Sequence, residues 1–271
     1  MKDYLYIDSD DDAHQAKFKV SNTPRIDHLI NEKRFEEALV EIEQVLKSDD
    51  DCTNWNLKGI ILNNLGRHEE AVECFDKSLG VEDSSEIQLN KANALYDWAK
   101  VTFFPEGNND KALQLINNAL ETLPESEDAS EYYFLKAEIL EGLEELAESH
   151  KNYLMAHKEF DRLKEFERQL DYLENTNDTL FVITGCGFYN FTPEPGMTVD
   201  LVRDDDNEHD PDAIAVMFDN KIIGYVANSS YTLIDNVKSA SELREMIDEN
   251  SRGTILFIHL GEYVLTKLTL F

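Results

Sequence analysis

Apolar residues in the first two thirds of the chain recur with the period of an α-helix. From about Thr23 to Asn175, a small, a bulky and a small residue stand at positions i, i+4 and i+7, which places each set on one helix face. The sets recur in phase as Ala38/Ile42/Val45, Ala71/Phe75/Ser78, Ala112/Ile116/Ala119 and Ser149/Tyr153/Ala156. Because similar helices recur in phase, the pattern predicts an all-α array of stacked repeats.

The helices that precede these sets carry a second recurring pattern. Each copy has a small residue where two helices must approach closely, and the copies are Trp55/Gly59/Leu62, Gln88/Ala92/Leu95 and Tyr133/Ala137/Leu140. Together with Ala71 and Phe75, the first copy resembles the tetratricopeptide repeat, a helix-turn-helix unit of 34 residues. It departs from that pattern at Lys58, Leu62 and Asp83. The resemblance implies a superhelix that binds a protein or peptide partner in a concave groove.

Polar side chains on the first helix of each repeat are the candidates for contacting such a partner. The resemblance implies that these positions line the groove. The candidate peptide-binding residues are Asn56, Asn63, Asn90, Lys91 and Asn93.

An insertion around Trp98 to Asn109 interrupts the third repeat. It predicts a first helix that is longer than usual or a turn that bulges. Its aromatic residues have two interpretations: Trp98, Phe103 and Phe104 either pack on a neighbouring repeat or form an exposed contact site.

The helical pattern ends in an amphipathic stretch from about Ser149 to Glu174, which predicts one long helix that caps the array. The polar run Asn175 to Asp178 breaks this helix, and we place the domain boundary there. Before the repeats, an aspartate-rich segment predicts an acidic arm. The predicted domains are therefore the arm at 1–22, the helical repeats with their cap at 23–177, and a second domain at 178–271.

From Leu180 onward the apolar residues follow the pattern of β-strands. The predicted strands lie near Leu180–Gly185, Thr198–Arg203, Ala213–Phe218, Lys221–Val226, Thr254–Leu260 and Tyr263–Leu270. One helix is predicted within Ser229–Asn250. This order predicts a small all-β barrel with one helical insertion, so the chain belongs to the multidomain α+β class.

A β-hairpin signal lies at the centre of the second domain. The turn Asp219–Asn220 separates two apolar runs. Around it stand an Arg-led strand (Leu201–Arg203), an Asp before the run Ala213–Val216, and the run Ile223–Tyr225. This order resembles the HIRAN domain, a small β-barrel found beside helicase-like ATPases and also alone. The resemblance implies a module that holds the 3′ end of single-stranded DNA.

The HIRAN resemblance implies DNA-binding roles for individual residues. Phe188 and Tyr189, adjacent aromatics after the first strand, would stack on the terminal bases, and Asp210 would accept a hydrogen bond from the free 3′ hydroxyl. Tyr263 matches an aromatic that flanks the bases, and Tyr225 takes a position where some members have His. Structural interpretations stay open: Asp210 can cap the turn that follows it, and the aromatic pair can belong to the barrel core.

Charge argues against tight binding of DNA by the second domain. From residue 178 to the end the chain has 6 basic and 16 acidic side chains, a net charge of −10. Gly187 stands where the best DNA binders of this kind have Arg. Phosphate contacts dominate affinity, so binding requires Arg203, Lys221 and Arg252 to gather on one face.

The whole chain is strongly acidic, with 56 acidic and 25 basic side chains and a formal net charge of −31. Such a field repels anionic lipid and nucleic acid, and adaptation to high cytoplasmic salt would produce the same bias. The first residues do not form a secretory leader, and no apolar run is long enough for a membrane span. We therefore expect a soluble cytoplasmic protein with no membrane partner.

Sequence patterns typical of catalysis or cofactor binding are missing. Gly185–Gly187 does not precede a helix and lacks the Lys and Ser or Thr of a phosphate loop. The segment Asp204–Asp212, called the acidic loop below, departs from an EF-hand at His209 and Ala215. The histidines are scattered, and the three distant cysteines suit reduced, buried thiols. We expect no metal, no cofactor and no enzymatic activity.

Two hypotheses follow. In the first, the chain is a non-enzymatic adaptor in DNA repair or processing, whose helical array binds a protein or peptide while the barrel recognises single-stranded DNA 3′ ends. In the second, the barrel no longer binds nucleic acid and the chain is a pure protein-interaction scaffold. A basic patch on the barrel would favour the first hypothesis, and a uniformly acidic barrel would favour the second.

Overall fold

The computed structural model describes residues 24–229, 232 and 234–269, and the predicted acidic arm lies outside them. These residues form two compact units that divide between Glu159 and Phe160. The first unit is helical and the second is rich in strands, which confirms the change of period seen in the sequence. In the described part of the chain, no helix is both long and apolar enough to cross a membrane.

Helices of the first unit alternate as the two helices of successive repeats. They are α1 (Pro24–Asn31), α2 (Phe35–Val45), α3 (Cys52–Asn64), α4 (His68–Val81), α5 (Ser85–Phe103), α6 (Asn109–Thr122), α7 (Ser130–Gly142) and α8 (Leu146–Ala156). We call the odd-numbered members, α1 to α7, the first helices and the even-numbered members, α2 to α8, the second helices.

The small, bulky, small sets of the second helices form much of the core of this unit. Ala71, Phe75 and Ser78 of α4 are all buried, and so are their three counterparts in α6. In the last set, Ser149 is buried and Tyr153 is half-buried. The repeat register predicted from the sequence is therefore confirmed in α4 and α6 and is weaker at the end of the array.

Gly59 shows why one repeat position must be small. A Cβ atom at this position would lie 2.7 Å from the ring of Phe75, which is itself fully buried. The helices α3 and α4 can pack this closely because Gly59 has no side chain.

The insertion in the third repeat lengthens a first helix. α5 runs for 19 residues and ends at Phe103. Trp98 and Phe103 pack against the core shared by α5, α6 and α7, as the packing interpretation predicts, whereas Phe104 is 78% exposed. The insertion therefore adds to the core and also leaves one aromatic ring in solvent.

The single long helix predicted from Ser149 to Glu174 is wrong, because two helices occupy that stretch. α8 ends at Ala156, and α9 spans Phe160–Asn175. Between them Lys158 has a φ of 58°, and its amide donates to the carbonyl of Met155 in the last turn of α8. A left-handed residue at this point ends a helix even where the apolar spacing continues.

α9 is part of the second compact unit, whereas the sequence pattern predicts that it belongs to the helical array as a cap. Leu173 is buried beside Leu180 and Val182 of the first strand, and the ring of Phe166 stacks on that of His259 with centroids 5.2 Å apart. The apolar face of α9 therefore covers strands. As a result, the compact units divide at 159/160, whereas the sequence predicts a domain boundary at 177/178.

Six strands of the second unit close into a barrel. They are β1 (Leu180–Thr184), β2 (Thr198–Arg203), β3 (Ile214–Phe218), β4 (Lys221–Val226), β5 (Arg252–His259) and β6 (Tyr263–Thr269). The order around the barrel is β1-β4-β3-β2-β5-β6, and every neighbouring pair is antiparallel. Closure removes exposed sheet edges. The predicted barrel is confirmed, with strand ends within two residues of those expected.

The interior of the barrel is filled by alternate residues of its strands. Phe181 and Ile183 of β1, Leu201 of β2 and Ile255 of β5 belong to one buried cluster. On the outside of β1, Leu180 and Val182 face α9. This two-residue period is why the strand pattern was visible in the sequence.

The helix predicted within Ser229–Asn250 is much shorter in the structure. Among the described residues of that stretch, the one helix is α10 (Ala240–Arg244), with Ser239 and Glu242 in a reciprocal capping box at its start. Its apolar residues Ala240 and Leu243 join the barrel core. α10 does not extend further toward the N-terminus because Ser239 is its extended N-cap and Asn236 has a φ of 63°.

The hairpin at the centre of the second unit forms as predicted. Met217 pairs with Ile222 and Phe218 with Lys221, and both turn residues, Asp219 and Asn220, have positive φ. Asp and Asn tolerate this conformation, and the two-residue turn matches the twist of the strands.

Candidate functional sites

Three aromatic rings lie side by side on the barrel, and we call Phe188, Tyr189 and Tyr225 the aromatic surface. The chain turns after β1, where the amide of Phe188 donates to the carbonyl of Gly185. The rings of Phe188 and Tyr189 meet edge to face with centroids 5.1 Å apart, and Tyr189 lies 6.4 Å from Tyr225. The structure thus brings together three of the predicted DNA-binding residues.

Phe188 is the most exposed member of the aromatic surface. Its side chain is 83% exposed, so the interpretation of Phe188 as barrel core is wrong. Tyr189 is half-buried and lies 3.8 Å from the position that a Cβ atom on Gly185 would take. The turn therefore holds Tyr189 against the barrel and leaves Phe188 in solvent.

A carboxylate borders the aromatic surface. The hydroxyl of Tyr225 donates to Oδ2 of Asp204 at 3.0 Å, and the side chain of Asn207 donates to the same oxygen. Burial, followed by the hydrogen bond to Asp204, raises the pKa of Tyr225 to about 12. Tyr225 therefore stays neutral at physiological pH and remains a donor to Asp204.

Asp210 stabilises the acidic loop through both of its carboxylate oxygens. Oδ1 accepts from the amide of Asp212 at 2.9 Å, and Oδ2 accepts from Nδ2 of Asn228 at 2.9 Å. The structure thus confirms the interpretation in which Asp210 caps the turn that follows it. Its role toward a 3′ hydroxyl stays a prediction.

The remaining two candidates on the barrel lie in other surroundings. Tyr263 packs against the cluster that contains Leu173 and Leu265, and no ring contact joins it to the aromatic surface among the described residues. Arg203 donates through Nη2 to the carbonyls of Arg244 and Ile247 at 2.6 and 2.7 Å. Arg203 thus stabilises the end of α10.

Five of the six basic side chains between residues 178 and 271 contact acidic or carbonyl groups, and Lys221 is the sixth. Arg244 contacts Asp205 and donates to the carbonyl of Ala213. The other pairs are Arg252 with Asp200, Lys267 with Asp178 and Lys238 with Glu242. DNA binding was expected to require Arg203, Lys221 and Arg252 on one face, and Arg203 and Arg252 instead use their guanidinium groups in separate contacts within the barrel.

On the helical unit, polar side chains link successive first helices, and we call these contacts the polar row. Asn90 of α5 donates to Oδ1 of Asn56 in α3 at 3.1 Å. Asn63 donates to Asp97 at 2.6 Å, and the hydroxyl of Tyr132 in α7 donates to Asn93 at 2.6 Å. The first two contacts join residues 34 positions apart, which is the length of one repeat.

The five predicted peptide-binding residues therefore all lie on α3 and α5, and all contact another helix. Asn56 and Asn90 are buried, so their amides stabilise the stacking of repeats. Lys91 pairs with Asp76 of α4 at 2.6 Å, just as Lys58 pairs with Glu43 of α2 at 3.2 Å. Asn63 and Asn93 are half-buried, which leaves part of each amide at the surface.

The sequence prediction missed the partners of these amides. Asp97, Tyr132 and His68 complete the network, and Nδ1 of His68 lies 2.7 Å from Oδ1 of Asn63. Burial lowers the pKa of His68, and the charge of Asp97 partly offsets this effect. The interval of 34 residues between Asn63 and Asp97 was the available signal, since side chains one repeat apart meet on neighbouring first helices.

The thiols and acidic groups of the described residues do not form a metal or redox centre. Cys52, Cys74 and Cys186 are buried and carry no disulfide, and burial raises the pKa of each thiol. Within the described ranges, no three His, Cys, Asp or Glu side chains lie close enough to hold a metal ion.

A tetratricopeptide repeat model matches residues 53–84, which include nearly all of α3 and the whole of α4. The match confirms the copy built on Trp55, Gly59, Ala71 and Phe75. No curated protein sequence matches the chain.

Solved structures of MamA show limited similarity to the chain. The MamA RS-1 ArsTM double mutant is 19% identical with a TM-score of 0.35, and the match covers 55% of this chain and 93% of that one. MamA in a second crystal structure is 16% identical with a TM-score of 0.30, covering 55% and 99%. MamA MSR-1 C2 is 18% identical with a TM-score of 0.27, covering 51% and 94%. Scores this low carry no functional conclusion.

Proposed function

We propose that this chain is a non-enzymatic interaction protein whose helical unit binds an extended segment of a protein partner along its first helices. The observation that carries the proposal is the polar row, which places amide side chains at repeat-length intervals. The tetratricopeptide repeat match at residues 53–84 supports the same class of function. The buried, unpaired thiols suit a cytoplasmic setting.

Amides in the polar row have hydrogen-bonding capacity beyond their contacts with each other. The carboxamide of Asn93 accepts from Tyr132, and its NH2 group still has two donors. Asn63 is bonded on both sides, to Asp97 and His68. Asn93 is therefore the best placed to donate to a peptide backbone, and Asn63 holds the neighbouring helices in register.

Peptide selection with the full-length protein would test this proposal. A displayed library of random peptides is selected against the chain, and hydrogen exchange is then measured with and without the enriched peptides. We expect slower exchange in α3, α5 and α7 and unchanged exchange in α4, α6 and α8. The proposal fails if no peptide is enriched, or if protection is confined to the second helices.

A matched pair of variants makes that test specific. Asn93→Asp keeps an acceptor for Tyr132 but removes the two free donors. It is expected to weaken a selected peptide about 5-fold, the value of one hydrogen bond of about 1 kcal/mol. Asn118→Ala changes an exposed amide of α6 and is expected to leave affinity unchanged. Equal effects of the two variants would contradict the assignment of the first helices.

For the barrel we propose a protein-interaction role, because five of its six basic side chains contact acidic or carbonyl groups and its net charge is negative. The HIRAN resemblance makes recognition of single-stranded DNA 3′ ends, and so an adaptor role in DNA repair, the second candidate. The exposed Phe188 beside Tyr189 favours it, since aromatic faces stack on bases.

Fluorescence anisotropy of the full-length protein separates these two candidates. Short single strands ending in a 3′ hydroxyl or a 3′ phosphate are titrated at low and moderate salt. DNA-end recognition predicts preference for the hydroxyl and binding about 5- to 100-fold weaker in Phe188→Ala, the value of one stacked base. Lack of binding at low salt would remove the DNA candidate and leave the protein-interaction role of the barrel.

A further inference from the structure

The aromatic surface combines exposed ring faces with a carboxylate in one place. Phe188 is 83% exposed, although burying such a ring elsewhere would have stabilised the fold by about 1.5–3 kcal/mol. The ring faces carry negative electrostatic potential, and Asp204 adds a carboxylate through its contact with Tyr225. Both components of this surface attract a cation.

Cations of the barrel itself do not occupy the aromatic surface. Arg203 donates to the carbonyls of Arg244 and Ile247. Arg244 donates to the carbonyl of Ala213 and contacts Asp205. Lys221 begins β4, four residues from Tyr225, which is roughly 13 Å along an extended strand. In the described residues no basic side chain is recorded over any of these three rings. The surface is therefore open to a cation supplied by another molecule.

We propose that the aromatic surface binds an arginine side chain of a protein partner. This deepens the proposal that the barrel is a protein-interaction module. A guanidinium group stacks flat on an aromatic face and donates hydrogen bonds to a carboxylate with the same planar group. Asp204 Oδ2 already accepts from Tyr225 and Asn207, and a carboxylate has about four acceptor positions in all, so Asp204 can accept from the arginine as well.

Charge favours arginine over a nucleic acid at this surface. A stacked base would bring its phosphate close to Asp204 and the acidic loop, where the two negative groups repel. Lysine satisfies the charge requirement, but its ammonium has no planar face for stacking. The expected order of affinity is therefore arginine, then lysine, then a neutral analogue.

The test uses the full-length protein and labelled peptides at physiological ionic strength, where non-specific attraction to an acidic protein is screened. The probes are a short Gly-Ser peptide with three arginines, the same peptide with citrulline, the same peptide with lysine, and a short oligothymidine. Citrulline keeps the size and shape of arginine without its charge. We expect the arginine peptide to bind about 10-fold more tightly than the citrulline peptide.

Variants locate the binding site. Phe188→Ala is expected to weaken the arginine peptide about 3- to 10-fold, as the loss of a cation–π contact predicts, and Asp204→Asn is expected to weaken it similarly. Phe104→Ala removes an equally exposed ring from the helical unit, and Glu125→Gln removes one exposed charge there. Both controls should leave affinity unchanged. Circular dichroism checks that each variant is folded.

The outcomes are decisive for this proposal and for the broader function separately. Equal binding of arginine and citrulline peptides, equal effects of Phe188→Ala and Phe104→Ala, or tighter binding of oligothymidine than of the arginine peptide would each overturn it. The hydrogen-exchange experiment on α3, α5 and α7 with a selected peptide is independent of these results. Failure of the arginine site can therefore be distinguished from failure of the proposed binding by the first helices.

Discussion

The helical unit and the barrel differ in how far apart along the chain their closely packed residues lie. In the helical unit, the closest contacts join helices that follow one another, such as Gly59 of α3 with Phe75 of α4. In the barrel, β1 pairs with β6, which lies some 80 residues later. Repeats with local contacts gain stability step by step along the array, whereas a barrel is closed only when its first and last strands meet. A local defect should therefore affect the two units differently.

The sharpest test of this contrast is Gly224→Ala in β4, for which we expect the largest effect. A Cβ atom at Gly224 would lie 2.4 Å from the backbone carbonyl oxygen of Thr184 in β1. Backbone cannot move aside without breaking the β1–β4 pairing, so we expect a loss of about 3 kcal/mol or more in the free energy of unfolding. Hydrogen exchange should rise in all six strands and stay unchanged in α1 to α8.

Gly187→Ala is the control, because a Cβ atom there would meet no atom within 4 Å. It should leave exchange in the barrel unchanged. Faster exchange confined to β1 and β4 in the Gly224→Ala variant would contradict the view that the closed barrel behaves as one unit.

The corresponding change in the helical unit is Gly59→Ala, with a smaller expected effect. The clash between the new Cβ atom and the ring of Phe75 should lower the free energy of unfolding by about 1–3 kcal/mol. The higher helix propensity of Ala should offset up to about 1 kcal/mol of this loss. We expect a net loss of about 1–2 kcal/mol, measured by urea unfolding. Trp55 and Trp98 are the two tryptophans of the chain, and both lie in this unit, so their fluorescence reports on it alone.

Gly80→Ala in α4 is a matched change with the opposite expected sign. A Cβ atom at Gly80 meets nothing within 4 Å, so only helix propensity changes and the unit should gain about 0.5 kcal/mol. A loss of stability in both variants would show that contact with Phe75 is not what makes Gly59 necessary.

Amide pairs across repeats sharpen the comparison further. Asn90→Ala removes the donor to Asn56 and leaves a buried polar oxygen, which is expected to cost about 1–2 kcal/mol. The double variant Asn56→Ala/Asn90→Ala should cost less than the sum of the two single variants, because it leaves no unsatisfied amide. Urea unfolding followed by tryptophan fluorescence measures the cycle. Additive losses would mean that the two amides do not stabilise each other.

As the pH falls, the helical unit should lose stability at a higher pH than the contact between Tyr172 of α9 and Asp178. Burial lowers the pKa of His68 below its ordinary value of 6.5, so stability from neutral His68 is present above pH 6.5 and is lost as the pH falls through the lowered pKa. In the barrel, hydrogen bonds from Lys267 and then Tyr172 lower the pKa of Asp178 below 3.8. Its contribution is present above that value and is lost only at more acidic pH.

Unfolding by urea at a series of pH values checks this order. His68→Gln should flatten the pH dependence of tryptophan-detected unfolding just below pH 6.5, because glutamine cannot take up a proton there. Asp178→Asn should leave that region unchanged, speed exchange in β6 at neutral pH, and lose this difference from the wild type in acidic buffer, where Asp178 itself becomes protonated. A wild-type profile that is flat between neutral pH and pH 5 would contradict the role of His68.

Local patterns predicted the elements whose residues act through their nearest neighbours. The Asp219–Asn220 turn, the six strands and the small positions at Gly59 and Ala71 follow from backbone preference and period alone. The sites depended on more distant contacts. Phe188 and Tyr189 were identified as candidates, but their exposure and their grouping with Tyr225 came from the barrel.

The sequence by itself determined that helical repeats are followed by a barrel, because periods of 3.6 and 2 are properties of local backbone geometry. Tertiary structure decided which core each element joins. The apolar spacing continues from α8 into α9, yet Lys158 ends one helix and Leu173 packs on β1. It also decided that Asp210 and Arg203 serve the loop and α10, since hydrogen-bond partners far apart in sequence become neighbours only when the barrel closes.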